Sequence, residues 1–271
     1  MTPVMWQMPC LLASIAIVLC ASAVSVQSPA LKLAPTGTLR VVFLGGNPVQ
    51  GRVDPKTREA SGTVPDLARE LARSLQVPVS IVSAPDAANV IGALRDGKAD
   101  IGFLAYDETR AREVDFGPPF VVMANSYLVK ATSAIQATAD VDRDGVTVAA
   151  VKGQTQEHFV SSAMKRAKVR VFDVMPTQSD VESLLTSGAV DAFAINRQRA
   201  LEAQEASGGR LRALPDSFLD VDQCFVVAKG QSDRLESIER FVAEMRASGF
   251  IRQSIERARL VGVDVAPVRK R

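Results

Sequence analysis

The chain has 271 residues, 47% of them apolar, with 32 Lys and Arg against 30 Asp and Glu. That is the balance of a folded protein with a sizeable core, not of a disordered or fibrous one. A net charge of +2 with scattered basic residues lacks the concentrated footprint that a phosphate backbone needs, so no nucleic-acid partner is expected. One histidine, His158, and three cysteines, Cys10, Cys20 and Cys224, exclude His-rich metal centres, CxxC redox pairs and zinc ribbons, and no cofactor or metal is expected. A Ser–His–Asp triad would have to use His158, and no G-x-S-x-G elbow accompanies it.

Residues 10–23, CLLASIAIVLCASA, carry no charge and end in the A-x-A site Ala21-Ser22-Ala23. This reads as a signal peptide over 1–23 and as export to the periplasm, followed by a linker over 24–37. The run is short of the about 20 apolar residues of a membrane span. Residues 1–9 have no Lys or Arg, which leaves an uncleaved anchor as the alternative. A lipoprotein is disfavoured by Leu19 before Cys20. Cleavage after Ala23 leaves one cysteine, Cys224 in CFVVA, as a buried inert thiol.

From there short apolar runs alternate with stretches of helical period, the grammar of an α/β protein with mostly parallel strands. LRVVFLG (39–45) reads as a strand buried on both faces. Asp54-Pro55-Lys56-Thr57 reads as a hairpin tip. Thr63 is expected to cap a helix with Pro65 in its first turn and Asp66 in the capping-box position. A strand (77–84), a helix (86–97) ended by a glycine and a strand (99–106) follow. The grammar restarts after residue 130: strand 146–153, helix from Thr155 to about Arg166, strand 169–174, helix 179–188, strand 190–196 and helix 197–206. An extended segment (210–214), a strand (221–228) and a long helix from Ser232 to about Ser248 close the pattern. LRDGKADIGFLA (94–105) and LTSGAVDAFAIN (185–196) share the sequence helix, x-G-x-x-D, apolar strand, which points to two similar lobes. VRKR (268–271) reads as a solvated end.

GTLRVV (37–42), GTVPDLARELARSL (62–75), ALRDGKADIGFLAYDETRAREVDFGPPF (93–120), GVTVAAVKGQTQEHF (145–159), LLTSGAVDAFAIN (184–196) and CFVVAKG (224–230) together resemble the bacterial extracellular solute-binding proteins, family 3. These are the polar amino-acid type binding components of ABC transporters, with the type II periplasmic-binding-protein-like fold. The resemblance implies two lobes, each a mostly parallel sheet flanked by helices, joined by a two-strand hinge. Lobe one would comprise 38–126 and 225–262 and lobe two 131–220, with 263–271 as a tail. The hinge would pass through 127–130 and the approach to Cys224. It further implies a monomer that captures a small carboxylate-bearing solute, an amino acid, a derivative or an organic acid, and delivers it to an ABC transporter permease.

Small-molecule sites gather at domain interfaces and at the carboxyl ends of parallel strands, where helix N-termini face anions. In the family an Arg four residues before the valine of V-D-F grips the ligand carboxylate, and Arg110 stands four before Val114. Its fork suits two parallel bonds to a carboxylate. Its alternative reading is a surface arginine paired with Glu108 or Glu113. Thr155 matches a hydroxyl residue of the family's binding loop and is read either as a ligand contact or as a helix cap. Gly153 would permit close backbone approach. Two departures bear on the solute. Asn196 stands where amino-acid binders place the Asp that neutralises the α-ammonium, and Ala105 stands where a hydroxyl is usual. A free α-ammonium then lacks its counter-charge unless Asp66 or another carboxylate substitutes. Asp107, in place of a Thr, is expected to cap the short turn at Arg110, and Phe120 is expected to pack.

Enzymes on the same fold would need an acid or base in the cleft, and the candidates are Asp66, Asp107, Glu157 and His158. All four fall in first turns of helices, where capping and the helix dipole account for the acids. The expectation is a binding protein without catalysis. An accessory periplasmic protein with no transporter is the alternative.

Overall fold

The computed structural model describes Met1 and residues 32–268. The segment expected to be a signal peptide, apart from Met1, most of the expected linker and the last three residues lie outside the described residues. The elements are β1 (Leu39–Leu44), β2 (Arg52–Val53), β3 (Ala60–Ser61), α1 (Thr63–Leu75), β4 (Val79–Ala84), α2 (Ala87–Arg95), β5 (Ile101–Ala105), β6 (Val114–Lys130), β7 (Thr147–Val151), α3 (Thr155–Ala163), β8 (Lys168–Phe172), α4 (Gln178–Thr186), β9 (Ala192–Asn196), α5 (Arg197–Ala206), β10 (Leu211–Ala213), β11 (Leu219–Ala228), α6 (Leu235–Ala247), α7 (Phe250–Arg257) and β12 (Val263–Val265).

The strands follow one path, β4-β1-β5-β11-β6-β9-β7-β8, with β10 and β12 also on β6, while β2 and β3 form a separate hairpin. Each half has three parallel strands, β4-β1-β5 and β8-β7-β9. Antiparallel strands extend both halves where the chain crosses between them. The 17-residue β6 makes the join: its first part pairs with β11 as far as Asn125, and from Asn125 to Val129 it pairs with β9.

Two cores flank each half sheet. Leu39, Val41 and Phe43 of β1 face one cluster and Val42 the other, so β1 is buried on both faces as its apolar run predicts. Phe120 packs edge-on against Phe103 and Phe225 in the first of these clusters. Tyr127, Leu128 and Val129, read in sequence as part of the crossing, pack in the two cores of the second half.

The x-G-x-x-D repeat has a common structural role. Gly97 and Gly188 both take positive φ at the end of a helix. The Asp three residues later then clips the start of its strand to the first strand of that half: Asp100 accepts from the Arg40 N–H at 2.9 Å, and Asp191 accepts from the Thr147 N–H at 2.8 Å.

Three local readings are corrected. The cap of α1 is Gly62, at φ 119°. Thr63 is buried inside the helix start, its hydroxyl donating to the Val49 carbonyl at 2.5 Å, so Asp66 closes no capping box. The helix expected from Ser232 to about Ser248 is a 3₁₀ turn and α6, and Gly249, in the left-handed region, then starts α7. Val263–Val265, read as tail, pairs with Val121–Met123 of β6.

Candidate functional site

The carboxyl ends of β5 and β7 meet across the join, and Arg110 stands between them. After β5 the chain turns at Asp107, whose carboxylate accepts from the N–H groups of Thr109 and Arg110. As the sequence predicts, this Asp supplies the cap that a Thr would give. The cap orients a 3₁₀ turn, Arg110–Arg112, that aims Arg110 inward, where it is only 7% exposed. One guanidinium nitrogen donates to the Ala105 carbonyl of its own half at 3.1 Å, and another to the Gly153 carbonyl of the other half at 2.7 Å. Among the described residues this guanidinium makes no ion pair. Burial lowers its pKa, and only the nearby Asp107 charge opposes that. A buried cation bonded to neutral carbonyls is primed for an anion.

The second half contributes the loop from β7 into α3. Gly153 has φ 71°, a left-handed turn that lets its carbonyl face Arg110. Gln154 is the cap residue of α3 and makes no side-chain cap bond; Thr155 is the first helical residue. Below them Gln156 donates to the side-chain oxygen of Asn125 at 2.6 Å, and Asn125 lies opposite Asn196 in the β6–β9 register. Asn196 is 7% exposed, and its side-chain oxygen accepts from the Arg199 N–H at 2.9 Å to cap α5. With the oxygen committed to the cap, the group left to face a solute is the amide NH2, a donor.

Arg110, Ala105, Gly153, Thr155 and Asn196 thus belong to one junction. Asp66 sits apart from them: its carboxylate accepts from Ser254 at 2.6 Å and Arg257 at 2.7 Å, tying α1 to α7.

Further contacts cross between the halves, among them the Val261 N–H, which donates to the Gln198 side-chain oxygen at 2.7 Å. His158 Nδ1 lies 2.7 Å from the Asp107 carboxylate, and Arg52 pairs with Glu202. Burial alone would raise the Asp107 pKa. The bond from His158 and that from the Arg110 N–H, with the charges of both side chains, outweigh it and hold the group below the usual carboxylate value. Glu157 accepts from Ser161 and, at 3.3 Å, from the Gly153 N–H. The acids and base weighed for catalysis are therefore engaged in caps and bridges.

A cavity of about 260 Å³ opens between the halves, lined by Gly45, Gly46 and Arg52 on one side and by Met175, Arg199 and Glu202 on the other. It is below the usual range for drug-sized ligands, which suits a small solute. Gly45 is required by close packing, since a Cβ there would lie 2.7 Å from that of Ser83. Arg199, Arg52 and Glu202 were not singled out by the sequence. The signal was present in the α5 sequence RQRALEAQEA, which puts two arginines and no acid in the first turn. Cations there oppose the helix dipole.

Residues 39–258 match the bacterial extracellular solute-binding proteins, family 3. The L-cystine-binding protein TcyJ of Escherichia coli (strain K12) is 25% identical over 195 residues, 71% of this chain and 71% of that protein. The ABC transporter glutamine-binding protein GlnH of Bacillus subtilis (strain 168) is 26% identical over 204 residues, 73% and 72% of the two chains. Among solved structures, an ancestral arginine-binding protein bound to glutamine is 28% identical with a TM-score of 0.67, covering 82% of this chain and 97% of its own. The two-lobed fold of the type II periplasmic binding proteins and the match over most of the sequence agree: the chain belongs to the bacterial extracellular solute-binding proteins, family 3.

Proposed function

We propose that the protein captures a small carboxylate-bearing solute between its lobes and hands it to an ABC transporter permease, as an exported monomer cleaved after Ala23. The observation that carries this reading is Arg110, buried at the join with both guanidinium bonds on neutral carbonyls, one from each lobe. A carboxylate arriving there replaces a carbonyl dipole with a full counter-charge and two parallel charge-assisted bonds. Gly153 and the first-turn N–H groups of α3, at Thr155 and beyond, approach the same anion from the other lobe. The ligand would therefore bridge the lobes and hold them closed.

The relatives are named for L-cystine and glutamine, which supports an amino acid or a close derivative as the solute class. Asn196 narrows that class: it presents an amide donor where an α-ammonium would need a carboxylate. An unmatched buried ammonium costs about 3–5 kcal/mol. An oxo, hydroxy or N-substituted acid fits this donor better.

A thermal-shift panel of amino acids, 2-oxo acids and simple organic acids on the purified protein tests the reading. At least one carboxylate is expected to raise the melting temperature with concentration, because it binds only the native state. Amides and amines matched in size that shift it as much as the carboxylates do would refute it. Intact mass of the periplasmic protein checks the leader: a chain beginning at Val24 is expected, and one retaining Met1 contradicts export with cleavage.

A further inference from the structure

We infer that the protein's solute is a dicarboxylate without a free α-ammonium, with Arg199 receiving its distal carboxylate. This rests on the reading that Arg110 takes the first.

Arg199 projects from the first turn of α5 into the cavity between the lobes. It reaches the opposite wall, where a Cβ added to Gly46 would sit 4.0 Å from its Nη2. The other two charges lining this cavity already hold each other, as Arg52 pairs with Glu202 across the lobes and Gln198 donates to the same carboxylate oxygen at 2.7 Å. Among the described residues the Arg199 guanidinium makes no hydrogen bond or ion pair. Burial lowers its pKa, Glu202 opposes that, and Arg52 adds to it.

The placement is unfavourable for stability in three ways: a cation half removed from water, near a second arginine, at the positive end of a helix. All three terms favour a bound anion. A neutral apolar side chain would leave this guanidinium desolvated and unmatched, so the cavity selects against it.

Asn196 and Arg199 lie on the same turn. The Asn196 oxygen accepts from the Arg199 backbone N–H, which leaves the amide NH2 as the donor on the turn that carries Arg199. With Arg110 on the first carboxylate, the Asn196 amide and the Arg199 guanidinium offer the rest of the solute a donor and a cation. Glu202, the one carboxylate on the cavity wall, is spoken for. A free ammonium therefore finds no unpaired carboxylate on the cavity wall, while an oxo or hydroxyl oxygen at the α-carbon finds a donor.

The test is isothermal titration of the purified protein with a matched pair, 2-oxoglutarate and 2-oxovalerate, which share a five-carbon chain and differ in the distal carboxylate. L-Glutamate and L-glutamine form the ammonium-bearing pair. We expect 2-oxoglutarate to bind about 100-fold more tightly than 2-oxovalerate, as one charge-assisted contact implies. We also expect it to bind more tightly than L-glutamate. Arg199→Gln should remove the preference between the two oxo acids by weakening 2-oxoglutarate, while 2-oxovalerate should bind no more weakly than to wild type, since the variant lacks the guanidinium that an apolar chain leaves unmatched. Arg110→Ala should weaken both. Equal binding of the oxo acids, preference for L-glutamine over L-glutamate, or equal losses on both oxo acids in Arg199→Gln overturns the inference. So does binding of neither oxo acid. If other carboxylates still bind and still answer to Arg110→Ala, only the distal assignment has failed; if none does, the carboxylate reading has failed with it.

Discussion

On the proposed reading Asn196 does two jobs with one amide, and they separate under substitution. Its oxygen caps α5, and an aspartate caps equally well. Asn196→Asp should therefore leave thermal stability nearly unchanged while turning the cleft-facing donor into a negative charge. Free α-amino acids should gain affinity and organic anions lose it, as read by titration with one of each. An unmoved preference would show that residue 196 does not face the α-substituent.

Asp107 gives a pH-dependent counterpart. Its pKa is depressed in the folded protein by His158 and by the Arg110 N–H against the effect of burial. A depressed carboxylate contributes stability that is fully present above its ordinary value of 3.8 and lost as pH falls through the lower folded value. Asp107→Asn should thus lower the melting temperature at neutral pH, and the gap to wild type should close in the acid range below pH 3.8. A gap independent of pH would contradict the bridge.

At the scale of elements, the repeated glycine and aspartate clips carry the strand register of each lobe. Asp100 is 1% exposed and holds Arg40 through two guanidinium bonds, at 3.0 and 2.6 Å, besides its backbone N–H. Asp100→Ala leaves these donors unpaired beside β1 and should cost about 2–3 kcal/mol, discounted because Arg40 is 29% exposed. Among the described residues Asp191 holds only the Thr147 N–H by side chain, so Asp191→Ala should cost about 1 kcal/mol. Urea denaturation of both variants checks the order, and equal losses would show that the salt bridge adds nothing.

This repeat was legible in the sequence because it joins a positive-φ glycine to an apolar strand, two local signals. Arg110 and its Asp107 cap were legible for a similar reason, lying within one short motif. What escaped depends on distant partners. Thr63 reads as a helix cap, but the Val49 carbonyl claims its hydroxyl and Gly62 takes the cap. Asp66 reads as a cleft acid, but α7 supplies Ser254 and Arg257 to it. Arg199 looks like a solvated helix arginine until the opposite lobe covers it. Three-residue β12 is too short for any periodicity to show, and only its pairing with β6 defines it.

At the scale of the whole molecule, the lobes are joined by β6 and β11 and touch through Arg110 to Gly153, Asp107 to His158, Arg52 to Glu202 and the Val261 N–H to Gln198. Such contacts are polar, which suits the hinge opening that the proposed function calls for. On the proposed reading a bound carboxylate adds to the closed state alone and shifts the population toward it. Small-angle scattering should show a smaller radius of gyration at saturation with an active carboxylate than without it. An unchanged radius would argue against closure on the solute.

The central claim is that a carboxylate is held at Arg110 between the lobes, and titration of Arg110 variants with an active carboxylate tests it most directly. Arg110→Ala should fold, with a melting temperature close to wild type in the absence of solute, and lose binding by about 100-fold or more. Arg110→Lys should recover little of it, since an ammonium cannot make two parallel bonds. Wild-type affinity in a folded Arg110→Ala protein would contradict the account.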